Sequence, residues 1–320
     1  MVKREDENVL TLDYCDLVLD GKAARGLYFY EAQTRAYKRH GFEGDPWDSS
    51  VQFKTSILDR DRFPADSGFE AVFRFEARKS DAYDFQDLKA VVERPELFQV
   101  FVNGVQVKPL PGEWRIDRDF GVYPVGRWVV SGGNRLTVRA RPFSVHTELE
   151  PVYLVGDFRL EAAKQGFVLK PARELGPGPW AAQGLPFYGA RVSYTGRFDV
   201  GDGADAGRRY FVRLGAWAGV AAEVLVNGRR AGLLAFPPFE LDVTDALQPG
   251  ANEVSVVVYG SLRNTLGPFH GDPPSGSAWP GMFKQGPSPG PPPGAAYKVV
   301  DYGLKEGFKL ITRTEQKSTN

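Results

Sequence analysis

Apolar and polar residues alternate along most of the chain. In "FEAVFRFEA" (residues 69–77), Ala71, Phe73 and Phe75 fall on one side, and Glu70, Arg74 and Glu76 on the other. "RLTVRARPF" sets Leu136, Val138 and Ala140 against Arg135, Thr137, Arg139 and Arg141. "VSYTGRFDV" alternates Val192, Tyr194, Phe198 and Val200 with Ser193, Thr195, Arg197 and Asp199, and "RRYFVRLGAW" continues through Tyr210, Val212 and Leu214. A period of two predicts strands with one wet face, and Gly, Pro, Asn and Asp bound these runs as turn residues do.

Helical periodicity is confined to short stretches. Residues 27–41, "LYFYEAQTRAYKRHG", place Tyr30, Thr34 and Tyr37 at helical spacing before Gly41. "DFQDLKAVVERPELF" (84–98) reads as a second short helix broken by Pro95, and "VTDALQPG" as a one-turn helix. Strands follow one another as hairpins and do not alternate with long helices, which disfavours a parallel α/β barrel.

The pattern also repeats. "VFVNG", "SGGNRLTVRA" and "YLVGDFRL" in the first half are echoed by "VLVNG", "PGANEVSVVV" and "VDYGLKEGFKL" in the second. Asn103 and Asn227 are 124 positions apart, and Asn134 and Asn252 are 118 apart. Conserved order with differing loop lengths predicts two copies of one β-sandwich. The expected fold is all-β: two tandem β-sandwiches with a few short helices. The expected domains are 1–165, with the short N-terminal helical segment, and 166–320. The Pro/Gly-rich loop 267–297 is assigned to the second.

Composition narrows the classes. Hydrophobic residues make up 42% and charged residues 25%, a globular balance and not a disordered one. Lys plus Arg equals Asp plus Glu at 40 each, so no basic field exists for a nucleic-acid backbone. No apolar run approaches the roughly 20 residues of a membrane span. The N-terminus, "MVKREDENVLTLDYCDL", lacks the apolar core of a signal peptide. The single cysteine, Cys15, allows no intrachain disulfide.

Motifs for chemistry are sparse. "GDGADAG" (201–207) precedes a strand and not a helix, so it is not a phosphate loop. "GPSPG" formally fits the nucleophile-elbow pattern, but Ser288 lies between Pro287 and Pro289 with no strand–helix context. His40, His146 and His270 have no metal-ligand spacing. No cofactor is expected. A structural Ca²⁺ is compatible with the loop carboxylates, of which Asp59, Asp61 and Asp66 are one group. Asp199, Asp202, Asp205, Asp242, Asp245 and Glu253 each have a cap or turn to serve. Sugar binding needs an aromatic plate with nearby polar groups. The candidates are Trp217, Arg263, Asn264, His270 and Trp279, and in the first half Trp47, Trp114, Tyr123 and Trp128.

One segment carries a family resemblance. "GARVSYTGRFDV" followed by "YFVRLGAWAGVAAEVLVNGRRAGLLAFPPFELDVTDALQPGANEVSVVV" resembles the sugar-binding-type jelly roll of glycoside hydrolase family 2. It has the Val-Asn-Gly hairpin, the Pro-containing loop, "DVTDAL" and "GANEV" in order. More widely, "NVLTLDYCDL", "SLRNTLGPFHG", "WPGMF" and "VVDYGLKEGFKL" resemble the C-terminal part of large bacterial glycosidases related to the family 106 α-L-rhamnosidases. The resemblance implies two tandem jelly-roll (galactose-binding-like) sandwiches, a carbohydrate partner and an upstream catalytic barrel that bears the carboxylates. No barrel is expected here, so no catalytic position is carried over. Three readings follow: a non-catalytic carbohydrate-binding accessory pair, purely structural support for a catalytic barrel, or a free-standing glycosidase with carboxylates between the sandwiches. An extracellular or periplasmic location follows only if the parent is a secreted glycosidase.

Overall fold

The computed structural model describes residues 1–80, 83–201, 208–271 and 279–314. The expected loop carboxylates Asp202 and Asp205 lie outside the described residues, as does 272–278 of the Pro/Gly-rich loop. The chain is all-β with few short helices, and it divides into two compact units. The first sandwich comprises Asn8–Ala172 and Gly267–Lys298; the second comprises Met1–Glu7, Arg173–Leu266 and the chain from Val299 onward. The expected cut at 165/166 differs from this division, which groups Met1–Glu7 with the second unit and Gly267–Lys298 with the first. The first strand, Val2–Arg4, pairs with Arg191–Val200 in the second sandwich, and the loop expected there packs into the first. Among the described residues no helix is long and apolar enough to cross a membrane.

The repeat seen in the sequence is a repeat of strand order. In the first sandwich Phe69–Ala77, Gly132–Ala140, Gln99–Val102 and Val105–Val107 are successive neighbours in one sheet. In the second, Arg191–Val200, Gly250–Tyr259, Ala221–Val226 and Arg229–Leu234 follow in the same order. Both hairpins turn on Asn-Gly with positive φ at each residue: 49° and 88° at Asn103-Gly104, 51° and 76° at Asn227-Gly228. That geometry suits a two-residue hairpin turn.

A second asparagine locks each copy. The Asn103 side-chain amide donates to Asn134 Oδ1 at 2.9 Å, and the Asn227 amide donates to Asn252 Oδ1 at 2.9 Å. Asn134 Nδ2 donates to the carbonyls of Val130 and Gly132, and its Oδ1 accepts from Val130 N–H. Asn252 does the same with Gln248 and Gly250. The N–H groups of Arg135 and Glu253 donate to Oδ1 of Asn103 and Asn227. Both inner asparagines are 2% exposed, so these bonds satisfy polar atoms that burial would otherwise leave unpaired.

Two local expectations meet different outcomes. The helix is present as Phe29–Arg39, burying Phe29, Ala32, Gln33, Ala36 and Tyr37, with Glu31 in its first turn and Lys38 and Arg39 in its last. Those charges complement the helix dipole. The stretch 84–98, expected as a helix, contains instead the strand Lys89–Glu93. It lies between Asp117–Pro124 and Val152–Gly156, with Ala90 and Val91 fully buried. Adjacent valines fit a central strand better than a helix, and Pro95 ends the run.

Candidate binding cleft

The first sandwich carries a cleft of about 590 Å³. It arises where one strand has two partial partners along the same edge. Tyr14–Leu19 pairs antiparallel with residues 70–73 of Phe69–Ala77, and Phe167–Pro171 pairs parallel with Glu76 and Ala77. Arg74 and Phe75 lie between these partners, and the cleft opens there. A second hollow of about 320 Å³ shares Tyr14, Arg74, Gln165 and Pro291 with it and extends to Arg25.

Asp13 forms one wall, between the strands Asn8–Leu12 and Tyr14–Leu19 that belong to different sheets. It is 2% exposed, and a carboxylate so buried needs hydrogen-bond donors. The Pro/Gly-rich loop supplies them. His270 Nε2 lies 2.9 Å from Asp13 Oδ2, and the Tyr297 hydroxyl donates to Oδ1 at 2.8 Å. The His270 ring sits edge-on to Tyr14, Tyr28 and Tyr297, with centroids 5.8, 5.5 and 5.0 Å away. Burial, and then the Asp13 charge, hold the Tyr297 hydroxyl far above its ordinary range, so it keeps its proton and donates. The same two causes raise Tyr14, whose hydroxyl donates to the carbonyl of Pro287 at 2.8 Å. Gly290 N–H donates to Gly26 O at 2.8 Å, and a Cβ on Gly26 would stand 2.9 Å from that nitrogen. The loop is thus strapped to the first sandwich by a buried carboxylate, which explains its membership there.

The sequence candidates occupy different surroundings. Asn264 is 1% exposed and clamps Val300, donating to its carbonyl and accepting from its N–H, both at 2.8 Å. His270 is engaged with Asp13 as described. Trp217 lies on the two-residue strand Trp217–Ala218 and meets Phe239 edge-on at 5.1 Å. Arg263 opens the short helix Arg263–Leu266. Trp217 Nε1 and Arg263 Nη1 are buried donors without a hydrogen-bond partner among the described residues. Trp279 is exposed and begins the turn Pro280–Phe283. Trp217, Arg263 and Asn264 belong to the second sandwich, His270 and Trp279 to the first. No hydrogen bond or ring contact joins Trp217 to Arg263 or Asn264, or His270 to Trp279, among the described residues.

Carboxylates gather elsewhere in the first sandwich. Burial, then the neighbouring Glu93 and Glu148 charges, push Glu150 up to about 8; burial, then Asp45 and Glu93, push Glu148 up to about 7. The cavity they line is only about 10 Å³, space for a single water and not for a sugar ring. Among the described residues no group of three or more His, Cys, Asp or Glu side chains could hold a metal ion. Asp61, one of the loop carboxylates weighed for Ca²⁺, accepts from Ser144 Oγ and Val145 N–H.

Asp13, Arg74 and the cleft are not among the sequence candidates. The sequence marks Arg74 and Arg135 as facing outward, but not that an edge gap opens beside them.

No family model matches the chain. Over 121 residues it is 29% identical to a putative beta-glucuronidase of Formosa agariphila, a stretch covering 37% of this chain and 10% of that protein. The chain thus spans about a tenth of that curated relative's length. Among solved structures it is similar to the rhamnosidase from Novosphingobium sp. PP1Y, with TM-score 0.29 and 18% identity over 77% of this chain and 21% of the other. The Streptomyces avermitilis alpha-L-rhamnosidase complexed with L-rhamnose gives TM-score 0.31 and 14% identity, covering 79% and 24%. Bifidobacterium dentium beta-glucuronidase gives TM-score 0.23 and 28% identity, covering 32% and 19%. Each of these relatives is named as a glycosidase, and this chain matches a minor part of each.

Proposed function

We propose that the chain is a non-catalytic, carbohydrate-binding accessory pair of β-sandwiches belonging to a glycoside hydrolase, working beside a catalytic domain. The observation that carries this reading is the sequence likeness to a tenth of a protein named as a glucuronidase, together with the ordered family 2 pattern over the second sandwich. The cleft supports it: its volume lies within the range of ligand pockets, and its walls combine Phe75, Phe167 and Tyr297 with Asp13, Asn134 and Gln165. On this reading Trp279, which is exposed, remains a secondary contact candidate, whereas the unpartnered donors of Trp217 and Arg263 are buried. Asn264 and His270 act by holding backbone and loop in place.

Calorimetric titration of the chain with rhamnose- and galactose-containing oligosaccharides tests the reading. Saturable heats are expected with at least one member, and no heat across a broad panel at millimolar concentration would remove the binding role.

A second reading, bracing of a catalytic domain without sugar binding, is favoured by apolar side chains around the second Asn-Gly hairpin. Phe236 is 81% exposed, Val220 58% and Leu233 48%. Exposed apolar groups of this kind suit a protein contact.

A further inference from the structure

The cleft is polar in an uneven way. Arg74 and Arg135 are directly opposite each other in the antiparallel pair of Phe69–Ala77 and Gly132–Ala140. Both stand on the outward face, and like charges in facing positions repel. Arg74 is relieved by Asp16, at 2.7 Å. Arg135 has no ion pair among the described residues, and neither has Arg25 at the far end of the adjoining hollow. The carboxylates that line the two hollows are all engaged. Asp13 accepts from His270 and Tyr297, Asp16 from Arg74 and Gly26 N–H, and Glu76 from Arg78. The formal charges balance, but the charged side chains left without an ion pair, Arg135 and Arg25, are cations.

We propose that this cleft receives an anionic saccharide unit, with Arg135 and Arg74 binding its acidic group and Phe167 walling its ring. The proposal rests on the carbohydrate-binding reading above and specifies the ligand class. A guanidinium presents two parallel donors to a carboxylate or sulfate, which a neutral hydroxyl cannot match in charge. A bound anion also gives Arg135 the counter-charge that Arg74 already has in Asp16, so the pair is better satisfied with ligand than without. Arg25, at the end of the shared hollow, is placed to meet a second acidic unit of the same chain.

The test is calorimetric titration of the full chain with tetragalacturonate, with its methyl ester, with a sulfated galactan oligosaccharide and with a neutral galactan oligosaccharide. Each is titrated into wild type, Arg135→Ala and Arg25→Ala. Both substituted residues are exposed, so the fold is expected to survive, and a thermal unfolding scan checks this. The expected result is binding of an acidic ligand that weakens roughly ten- to hundredfold in Arg135→Ala, as for loss of a charge-assisted hydrogen bond. It should also weaken as salt rises. The tetragalacturonate and sulfated arms tell carboxylate from sulfate. If the methyl ester or the neutral oligosaccharide binds as tightly as the acidic ones, or Arg135→Ala leaves affinity unchanged, the anionic proposal is overturned while carbohydrate binding stands. If no saccharide binds, both readings fall. Tight capture of an acidic peptide with no saccharide bound would assign the cleft to a protein contact and likewise overturn the proposal.

Discussion

The two inner asparagines show how much one residue type can do. Asn134 and Asn252 each tie a hairpin turn, a preceding loop and a strand start into one hydrogen-bonded unit. Replacing either by Ala strands several buried backbone groups. Asn134→Ala and Asn252→Ala should each cost about 2–3 kcal/mol, as loss of two or three buried bonds does. Urea unfolding followed by probes in each sandwich would measure it, and a near-zero effect would mean that the locks are ornamental. The aligned asparagines were legible in the repeat as turn residues, but their mutual contact was not. Nothing in a linear pattern shows that Asn103 and Asn134 meet across a sheet. The same holds for Asp13, which sits between two strand-like runs and gives no sign that donors 257 and 284 positions away complete it.

At the scale of elements, the loop Gly267–Lys298 is the main surprise. Its Gly and Pro content read as an extended segment of the second sandwich, because sequence adjacency is the only guide when periodicity is absent. The deciding interaction is the buried Asp13 carboxylate with its His270 and Tyr297 donors, a tertiary contact. Asp13→Ala leaves both donors unpaired among aromatic rings and should destabilise the first sandwich by about 2–4 kcal/mol. The Gly290 amide, bonded to Gly26 O, should then exchange faster, while the amides around Asn252 keep their protection. Hydrogen exchange read peptide by peptide checks this, and equal acceleration in both regions would contradict the strap. Strand alternation, by contrast, was legible almost residue by residue. The alternation in 69–77 matches its burial, with Phe69, Ala71, Phe73, Phe75 and Ala77 inside. The exception, Lys89–Glu93, is a centrally placed strand whose two buried faces leave no alternation to read.

For the whole molecule, stability should depend on pH through Glu148 and Glu150. Their folded values, about 7 and about 8, exceed an unfolded glutamate's roughly 4.3, so between these limits the folded chain holds protons that the unfolded chain has released. Stability is therefore full below the unfolded value, declines as pH rises from there through 7 to 8, and levels off above. Unfolding free energies from urea titrations at pH 5.5 and 8.5 should differ by roughly 1–2 kcal/mol in favour of the acidic condition, the full shifts being discounted for the partial exposure of both side chains. Glu150→Gln, neutral at both values, should flatten the difference; an unchanged slope would show that other groups set it. The function belongs to this scale too, since two copies of one sandwich differ mainly in what surrounds them. The first has the edge gap at Arg74 and Phe75 and the strapped loop, and the cleft lies there. Hydrogen exchange of the chain with and without a saturating acidic oligosaccharide tests most directly that this cleft binds sugar. Sugar bound in this cleft should give new protection in peptides covering 74–76, 133–135 and 165–168. Protection confined to the second sandwich, or none at saturation, would contradict it.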